Sequence, residues 1–134
     1  MRPLSGTSQA ATSQTTVRRS LSDDELLVRA SELIARGWSR RVLAEDRFGR
    51  QVEPWSTAAC RWSPLGALTS VWYEHPGVGF DAFETAYAAV ALATGGRVEE
   101  WNAARWRTKS HVLRAFVRAR GFLPQARRQL RPVA

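Results

Sequence analysis

The sequence predicts a mainly α-helical fold, a compact four-helix domain with one small β-hairpin, a disordered N-terminal tail and a basic C-terminal arm. Four segments carry apolar residues at helical spacing, and each begins at a capping residue. Each of them also ends near a glycine or a proline. Because 134 residues is the length of one domain and 44% of them are hydrophobic, the chain can bury a modest core.

The domain is predicted to span residues 21–121, after a disordered tail over residues 1–20 that is rich in Ser, Thr, Gln and Ala. Residues 122–134 are predicted to form the basic C-terminal tail. No apolar run is long enough to span a membrane, and the N-terminus lacks the apolar region of a secretory signal. We therefore expect a cytoplasmic protein.

The first predicted helix begins at a capping box, in which Ser22 is the N-cap and Glu25 is the third helical residue. Gly37 is predicted to end this helix. Residues 41–55 then change period around Gly49, which suits a positive φ. We predict that this segment forms the small hairpin, and that it lies against the helices because a two-stranded ribbon alone is marginal in water.

The second predicted helix begins at Ser63, with Pro64 as its first residue, and ends near Tyr73 ahead of a Pro-Gly turn. Gly66 and Ala67 are placed on it to allow close approach of a neighbouring segment.

The third predicted helix covers residues 81–94 and begins at a second capping box, formed by Asp81 and Glu84. The fourth covers residues 108–120, is capped by its first residue and is ended by Gly121. The residues of the fourth helix predicted to face inward are Val112, Leu113, Phe116 and Val117.

The formal net charge of +8 is concentrated in the last quarter of the chain. Residues 1–104 carry eleven Arg and twelve acidic residues, a net charge of −1, whereas residues 105–134 carry eight Arg, Lys109 and no acid, a net charge of +9. This asymmetry indicates an anionic partner: nucleic acid, a membrane surface or an acidic protein. The alternative is a general preference for arginine, since the chain has 19 Arg and one Lys.

The basic residues of the last quarter are the candidate contacts for an anionic macromolecule, as phosphate-type contacts that position without reading sequence. They are Arg105, Arg107, Lys109, Arg114, Arg118, Arg127, Arg128 and Arg131. Trp101 and Trp106 flank two of these arginines and are the best candidates among the six Trp for stacking on bases. The alternative, which we favour for so small a domain, is that the Trp side chains cover the core.

The single cysteine, Cys60, excludes an intrachain disulfide. With His75 and His111 it supplies at most three metal ligands, without a short-spaced pair, so neither a metal nor another cofactor is expected. A Cys60–His75 dyad would need a separation of about 3 Å, but the predicted helix between them is about 15 Å long. Cys60 alone, beside Arg61 and a helix start, is either a reactive thiol or a small buried apolar residue, and we favour the second.

Cys60, Glu74, His75 and Asn102 are the candidate catalytic residues, as the polar groups of a pocket among the Trp side chains. The alternative for Glu74 and His75 is that they are solvated residues before a turn, and His111 is placed to serve the start of the last helix. No phosphate-cradling glycine loop, Gly-x-Ser-x-Gly elbow or His-Glu-x-x-His pair occurs.

Two segments, "CRWSPLGAL" and "EEWNAARWRTKSHVLRAF", resemble a family of small uncharacterised proteins of actinobacteria and their phages. The resemblance covers residues 26–121, and the matching residues are Cys60, Gly66, Ala67, Trp101, Asn102, Arg107 and Thr108. The chain departs from the family pattern at Ser63, where a second cysteine is common, at Ala103, which replaces an acid, and at His111, which replaces a glutamate. The resemblance implies a shared scaffold and no activity.

Three hypotheses about function follow. The leading one is a small basic binding protein that contacts an anionic partner, nucleic acid being one candidate, through its Arg-rich C-terminal helix. The second is a small accessory enzyme of a biosynthetic pathway, with a Trp-lined pocket around Cys60 and His75. The third is an oligomeric structural protein in which apolar Trp surface pairs with a copy of itself. A pocket converging on the catalytic candidates would favour the enzyme, and a convex domain with one basic face would favour the binding protein.

Overall fold

The computed structural model describes residues 21–130, so the predicted disordered tail, residues 1–20, lies outside the described residues. The described part contains five α-helices and a two-stranded sheet. The helices are α1 (Asp23–Arg36), α2 (Pro64–Tyr73), α3 (Phe80–Thr94), α4 (Val98–Ala103) and α5 (Lys109–Leu130), and the strands are β1 (Ala44–Glu45) and β2 (Arg61–Trp62). The mainly helical fold class is confirmed. The predicted number of four helices is wrong, because α4 is too short to give a periodic pattern and has no side-chain cap.

Helix α1 begins at the predicted capping box. The backbone N–H of Ser22 donates to Glu25 Oε1 at 2.8 Å, and the backbone N–H of Glu25 donates to Ser22 Oγ at 3.1 Å. The helix ends before Gly37, as predicted, but this glycine is extended, with φ of −170°. Its small size is needed for space, since a Cβ atom there would lie 2.0 Å from the carbonyl oxygen of Cys60.

The small sheet is antiparallel, but its two strands are farther apart in sequence than the predicted hairpin. Strand β1 pairs with β2. Inside the predicted hairpin, a single isolated bridge joins Glu45 to Gln51. The turn between them contains Gly49 with the expected positive φ of 81°. The sequence therefore locates the turn correctly and misplaces the strand that completes the sheet.

Helix α2 begins at Ser63, with Pro64 as its first residue, as the sequence predicts. Ser63 Oγ accepts a hydrogen bond from the backbone N–H of Gly66 at 3.1 Å. The predicted close approach at Gly66 is also confirmed, because a Cβ atom there would lie 1.8 Å from the carbonyl oxygen of Leu43. Helix α2 therefore rests directly on the backbone that leads into β1.

Helix α3 begins at Phe80, and the predicted capping box of Asp81 and Glu84 is wrong because no side chain caps this end. The aromatic ring of Phe80 packs against Trp72 of α2, with 5.6 Å between the ring centroids. Helix α3 therefore begins before the residue that the sequence marks as its cap. The helix ends as predicted at Gly95, which is left-handed with φ of 92°.

Helix α5 continues past Gly121 and Pro124 to Leu130, although the sequence predicts an end at the glycine. Pro124 removes one hydrogen bond of the helix. Leu123 and Ala126 are buried in the core on either side of it, and their burial offsets that loss. The predicted basic tail is therefore helical as far as the described residues extend.

One predicted inward position of α5 is wrong: Val117 is 68% exposed. Leu113 is only half-buried. The buried face of α5 is centred on small residues, which let α5 lie close to the alanine-rich α3, its main packing partner. The buried residues of α5 are Val112, Ala115, Phe116, Ala119, Leu123 and Ala126.

Helix α1 packs against α2, α3 and α5, and these contacts enclose the core. No helix in the described part of the chain is long and apolar enough to cross a bilayer.

Candidate functional site

The connection between α4 and α5 is anchored by Asn102, which is completely buried. Its Oδ1 accepts a hydrogen bond from Trp38 Nε1 at 2.7 Å. Its Nδ2 donates to the backbone carbonyls of Ser39 at 3.0 Å and Arg40 at 3.1 Å. Asn102 therefore ties the end of α4 to the segment that follows α1, 62 to 64 residues earlier in the chain.

Arg40 fixes the backbone of the same connection from the other side. Its guanidinium donates to the carbonyl oxygen of Ala104 and, at 2.9 Å, to that of Arg107. The same guanidinium lies over the ring of Trp38, with Cζ 4.9 Å from the ring centroid. Nothing local in the sequence points to Arg40, because its partners are 64 and 67 residues away.

Arg107 is packed between two tryptophans. Its Cζ lies 3.8 Å from the ring centroid of Trp101 and 5.7 Å from that of Trp106, and its Nε donates to the carbonyl of Trp101 at 2.9 Å. Burial lowers the pKa of Arg107 from its ordinary value. An arginine nevertheless stays protonated in proteins, so this position carries a fixed positive charge.

Trp106 is 69% exposed, the largest exposed fraction among the large apolar side chains of the described residues. The interpretation of the Trp residues as core cover suits Trp101, which packs against the core, but does not suit Trp106. Arg105 beside it is exposed and has no side-chain partner in the described part of the chain. We call Arg105, Trp106 and Arg107 the Arg–Trp surface.

Helix α5 starts directly after this surface, at a capping box that uses a histidine. The backbone N–H of His111 donates to Thr108 Oγ1, and the backbone N–H of Thr108 donates to His111 Nδ1, both at 3.2 Å. His111 thus takes the place of the glutamate that usually completes such a box. The first turn of α5 contains no acid, so the positive end of the helix dipole adds to the charge of the Arg–Trp surface.

Two other predicted anion contacts donate instead to carbonyl groups at the C-terminal ends of helices of the same chain. Lys109 Nζ donates to the carbonyl of Ala35 at 2.8 Å, in the last turn of α1. Arg118 Nη2 donates to the carbonyl of Ala93 at 3.0 Å, in the last turn of α3. Both cations therefore stabilise the negative ends of helix dipoles.

The C-terminal half of α5 is paired with acids of α1. Arg127 donates two hydrogen bonds to Asp23, at 2.7 and 2.8 Å, and Arg120 donates two to Asp24, at 2.7 and 3.1 Å. These hydrogen bonds to carboxylates raise the pKa of both arginines. Part of the positive charge of the last quarter is therefore neutralised by residues about a hundred positions earlier in the chain.

Of the remaining predicted anion contacts, Arg114 and Arg128 are more accessible to a partner. Arg114 donates to the hydroxyl of Ser110 at 3.2 Å and is otherwise exposed. Arg128 is exposed and has no partner within residues 21–130. Arg131 lies outside the described residues.

Two of the four catalytic candidates are brought together. Glu74 and His75 line a cleft of about 340 Å³ on the face of α1, together with Arg29, Glu32 and Arg36. The Nδ1 of His75 lies 2.8 Å from the carbonyl oxygen of Val71, which can only accept, so this nitrogen carries the proton. The cleft combines the carboxylates of Glu32 and Glu74 with the two arginines, and no Trp lines it among the residues that the structure describes.

The other two catalytic candidates lie elsewhere. Cys60 is half-buried just before β2, with its backbone N–H donating to the carbonyl of Glu45 at 2.8 Å. Helix α2 separates Cys60 from His75, as the sequence predicts. The side chain of Asn102 is occupied by the three hydrogen bonds given above. Within residues 21–130, no group of three or more His, Cys, Asp or Glu side chains is arranged to hold a metal ion.

A half-buried carboxyl group that the sequence pattern did not reveal belongs to Glu99. Its Oε2 accepts a hydrogen bond from the backbone N–H of Leu65 at 3.1 Å, at the start of α2. Burial raises the pKa of Glu99, against the opposing effect of hydrogen bonds from Ser63 and Leu65. Burial, with the nearby charge of Glu99 second, also raises the pKa of Tyr87.

We expect Glu99→Gln to change how stability depends on pH. A raised pKa means that the folded state binds the proton more tightly than the unfolded state, so this contribution is complete below the ordinary value of 4.5 and is lost as pH rises through the folded-state pKa. Glutamine stays neutral and keeps an acceptor for Leu65. The free energy of unfolding of the variant, relative to the unaltered protein, should therefore increase as pH rises from acid to neutral.

Urea unfolding across that pH range measures the effect. Glu100→Gln is the matched control, because Glu100 is exposed and pairs only with Arg97 among the described contacts. Parallel pH profiles for Glu99→Gln and the unaltered protein would contradict the assignment of Glu99.

The chain belongs to the Family of unknown function (DUF6197), whose model matches residues 18–122. The matched range contains α1 to α4, the Arg–Trp surface and more than half of α5. The searches of curated proteins and of solved structures returned no match. The family description names no activity.

Proposed function

We propose that this member of DUF6197 is a binding protein for an anionic polymer, which it contacts through the Arg–Trp surface at the start of its last helix. The observation that carries the proposal is Trp106, 69% exposed beside the unpartnered Arg105. No acidic residue follows Glu100 in the chain, so the surface and the whole of α5 are free of acids of their own. The positive potential at the Arg–Trp surface is therefore not cancelled by acids of the same segment.

The rigidity of the connection supports the proposal. Asn102 and Arg40 together hold the backbone at residues 102, 104 and 107, so the loop is ordered before any partner arrives. An ordered surface loses less conformational entropy on binding than a mobile one. An exposed aromatic ring on a fixed loop beside arginines is the combination that single-strand-binding proteins use to stack bases and contact the backbone.

The charge distribution along α5 favours its N-terminal end as the contact. Asp23 and Asp24 already pair with the arginines of the C-terminal half, whereas Arg105 has no described partner and Arg107 contacts only aromatic rings and backbone. The proposal places the protein in the cytoplasm, where nucleic acids are prevalent polyanions, and the binding would be of the phosphate-neutralising type.

Replacing Arg105 by alanine tests the proposal. Labelled single-stranded DNA is titrated with the intact protein in a salt series from about 50 to 200 mM, with anisotropy as the signal. We expect binding that weakens with salt, and a log–log slope that becomes shallower by about 0.7 in Arg105→Ala, because one phosphate contact is lost.

Arg128→Ala is the matched control, since it removes the same charge from an exposed, unpartnered arginine near the far end of α5, a helix about 33 Å long. It should leave the salt slope nearly unchanged. Equal effects of the two variants would mean that only net charge matters and would contradict a defined surface. Absence of binding at low salt would overturn the proposal and direct attention to the cleft of Glu74 and His75.

A further inference from the structure

We propose that the polymer bound by the Arg–Trp surface is a single-stranded nucleic acid, with one unpaired base stacked on the indole of Trp106. This inference rests on the proposed function and specifies its partner. Arg105 and Arg107 are the chain neighbours of the tryptophan, so a base on the ring has two cations close by for the neighbouring phosphates.

The exposure of the indole favours a single strand over a duplex. Bases inside a duplex have both faces covered by their neighbours, so an exposed ring can stack only on a base that is unpaired. Trp106 is also not consumed by internal stacking, because the guanidinium of Arg107 lies closer to Trp101, at 3.8 Å, than to Trp106, at 5.7 Å. The indole therefore retains open ring surface.

The surroundings of Trp106 disfavour a membrane or an acidic protein as partner. Membrane-surface helices insert a continuous apolar face, whereas Trp106 is followed by Arg107, Thr108, Lys109 and Ser110. The carboxylates of an acidic protein would pair with Arg105 but would not stack on the flat ring of Trp106, whereas an unpaired base would. Flat apolar ring and adjacent cations together match the two chemical parts of a nucleotide, the base and the phosphate.

The preorganised loop also fits this partner. The backbone carbonyls of Ala104 and Arg107 both accept hydrogen bonds from Arg40, so the backbone is held on either side of Trp106. A tryptophan on a fixed backbone offers its ring in a defined place. This suits stacking without sequence preference, because every base has a π-face.

The test compares a short oligothymidylate with an abasic oligonucleotide of the same length, which has the same phosphates and no bases. Trp106→Ala should weaken binding of oligothymidylate about 10- to 100-fold and should leave binding of the abasic chain nearly unchanged. Arg105→Ala should weaken both. Trp106→Phe should restore most of the affinity for oligothymidylate, since a smaller aromatic ring still stacks.

Trp55→Ala is the matched control, because Trp55 is 38% exposed but is stacked on Tyr73, with 4.7 Å between the ring centroids. It should not change binding. Equal affinity for the two oligonucleotides, preference for duplex, or tighter binding to phosphatidylserine vesicles would each overturn the single-strand inference while leaving anion binding in place. Binding to none of these polyanions would overturn the proposed function as well.

Discussion

Gly66→Ala is expected to destabilise the fold by about 3 kcal/mol or more, the upper end of the effect of overpacking. This destabilisation runs against the intrinsic helix propensities, by which alanine stabilises a helix relative to glycine by about 0.5–1 kcal/mol. The reason is the contact with the backbone: the added Cβ would lie 1.8 Å from the carbonyl oxygen of Leu43. That carbonyl also accepts from the N–H of Ser63 at 3.1 Å, so neither side can move without losing the start of α2.

Gly121→Ala is the matched control within α5. A Cβ atom at Gly121 would meet nothing within 4 Å, so this change should stabilise the protein by about 0.5–1 kcal/mol. Urea unfolding of the two variants measures both effects. A Gly66→Ala variant as stable as the unaltered protein would contradict the packing of α2 on the segment before β1.

Asn102→Ala is expected to lower the free energy of unfolding by about 2–5 kcal/mol, because it leaves three buried or partly buried polar groups without their hydrogen-bond partner. These groups are the indole N–H of Trp38 and the carbonyls of Ser39 and Arg40. The same change should release the connection to α5 and weaken anion binding in whatever fraction remains folded.

Trp38→Phe provides the comparison, since it removes one donor and leaves both amide–carbonyl hydrogen bonds of Asn102 in place. Its cost should be clearly smaller, about 1–2 kcal/mol. The same thermal unfolding midpoint for Asn102→Ala and the unaltered protein would show that Asn102 does not anchor the connection between α4 and α5. Asn102 would then again be a candidate catalytic residue.

The residues that carry the family resemblance have structural roles in the described part of the chain. Gly66 gives space to Leu43, Cys60 presents its carbonyl to Gly37, and Asn102 holds Trp38. Thr108 caps α5, and His111 completes the capping box. The shared residues therefore account for the scaffold, and one of them, Arg107, also belongs to the Arg–Trp surface. Arg105 and Trp106 are not among them and are the other residues that we propose contact the partner.

Local signals in the sequence predicted the features that depend on neighbouring residues. The capping box at Ser22, the Ser63–Pro64 start and the turn at Gly49 are confirmed because side chain, backbone and solvent decide them within a few positions. The end of α5 was not predictable in this way. Gly121 and Pro124 are local stop signals, but α5 continues because its side chains beyond them are buried against helices that are distant in sequence.

The candidate site depends on contacts that no local pattern contains. The basic character of residues 105–134 was visible in the sequence. The sequence did not show that Asp23 and Asp24 pair with arginines in the C-terminal half of α5. Arg40 reaches its partners across more than sixty residues. Trp106 could be singled out from the sequence as a stacking candidate, but its exposure could not, because it depends on a loop whose backbone is held by Arg40 from more than sixty residues away.

The central claim is that the Arg–Trp surface binds an anionic strand, and an NMR titration of the intact protein with a short oligothymidylate tests it most directly. Each of the six Trp side chains gives its own indole N–H signal. We predict that the indole of Trp106 and the backbone amides of residues 105–110 shift first, while the indoles of Trp62 and Trp72, which donate to backbone carbonyls, do not. Shifts centred on Arg128 or on the cleft of Glu74 and His75, or no shifts at low salt, would contradict the claim.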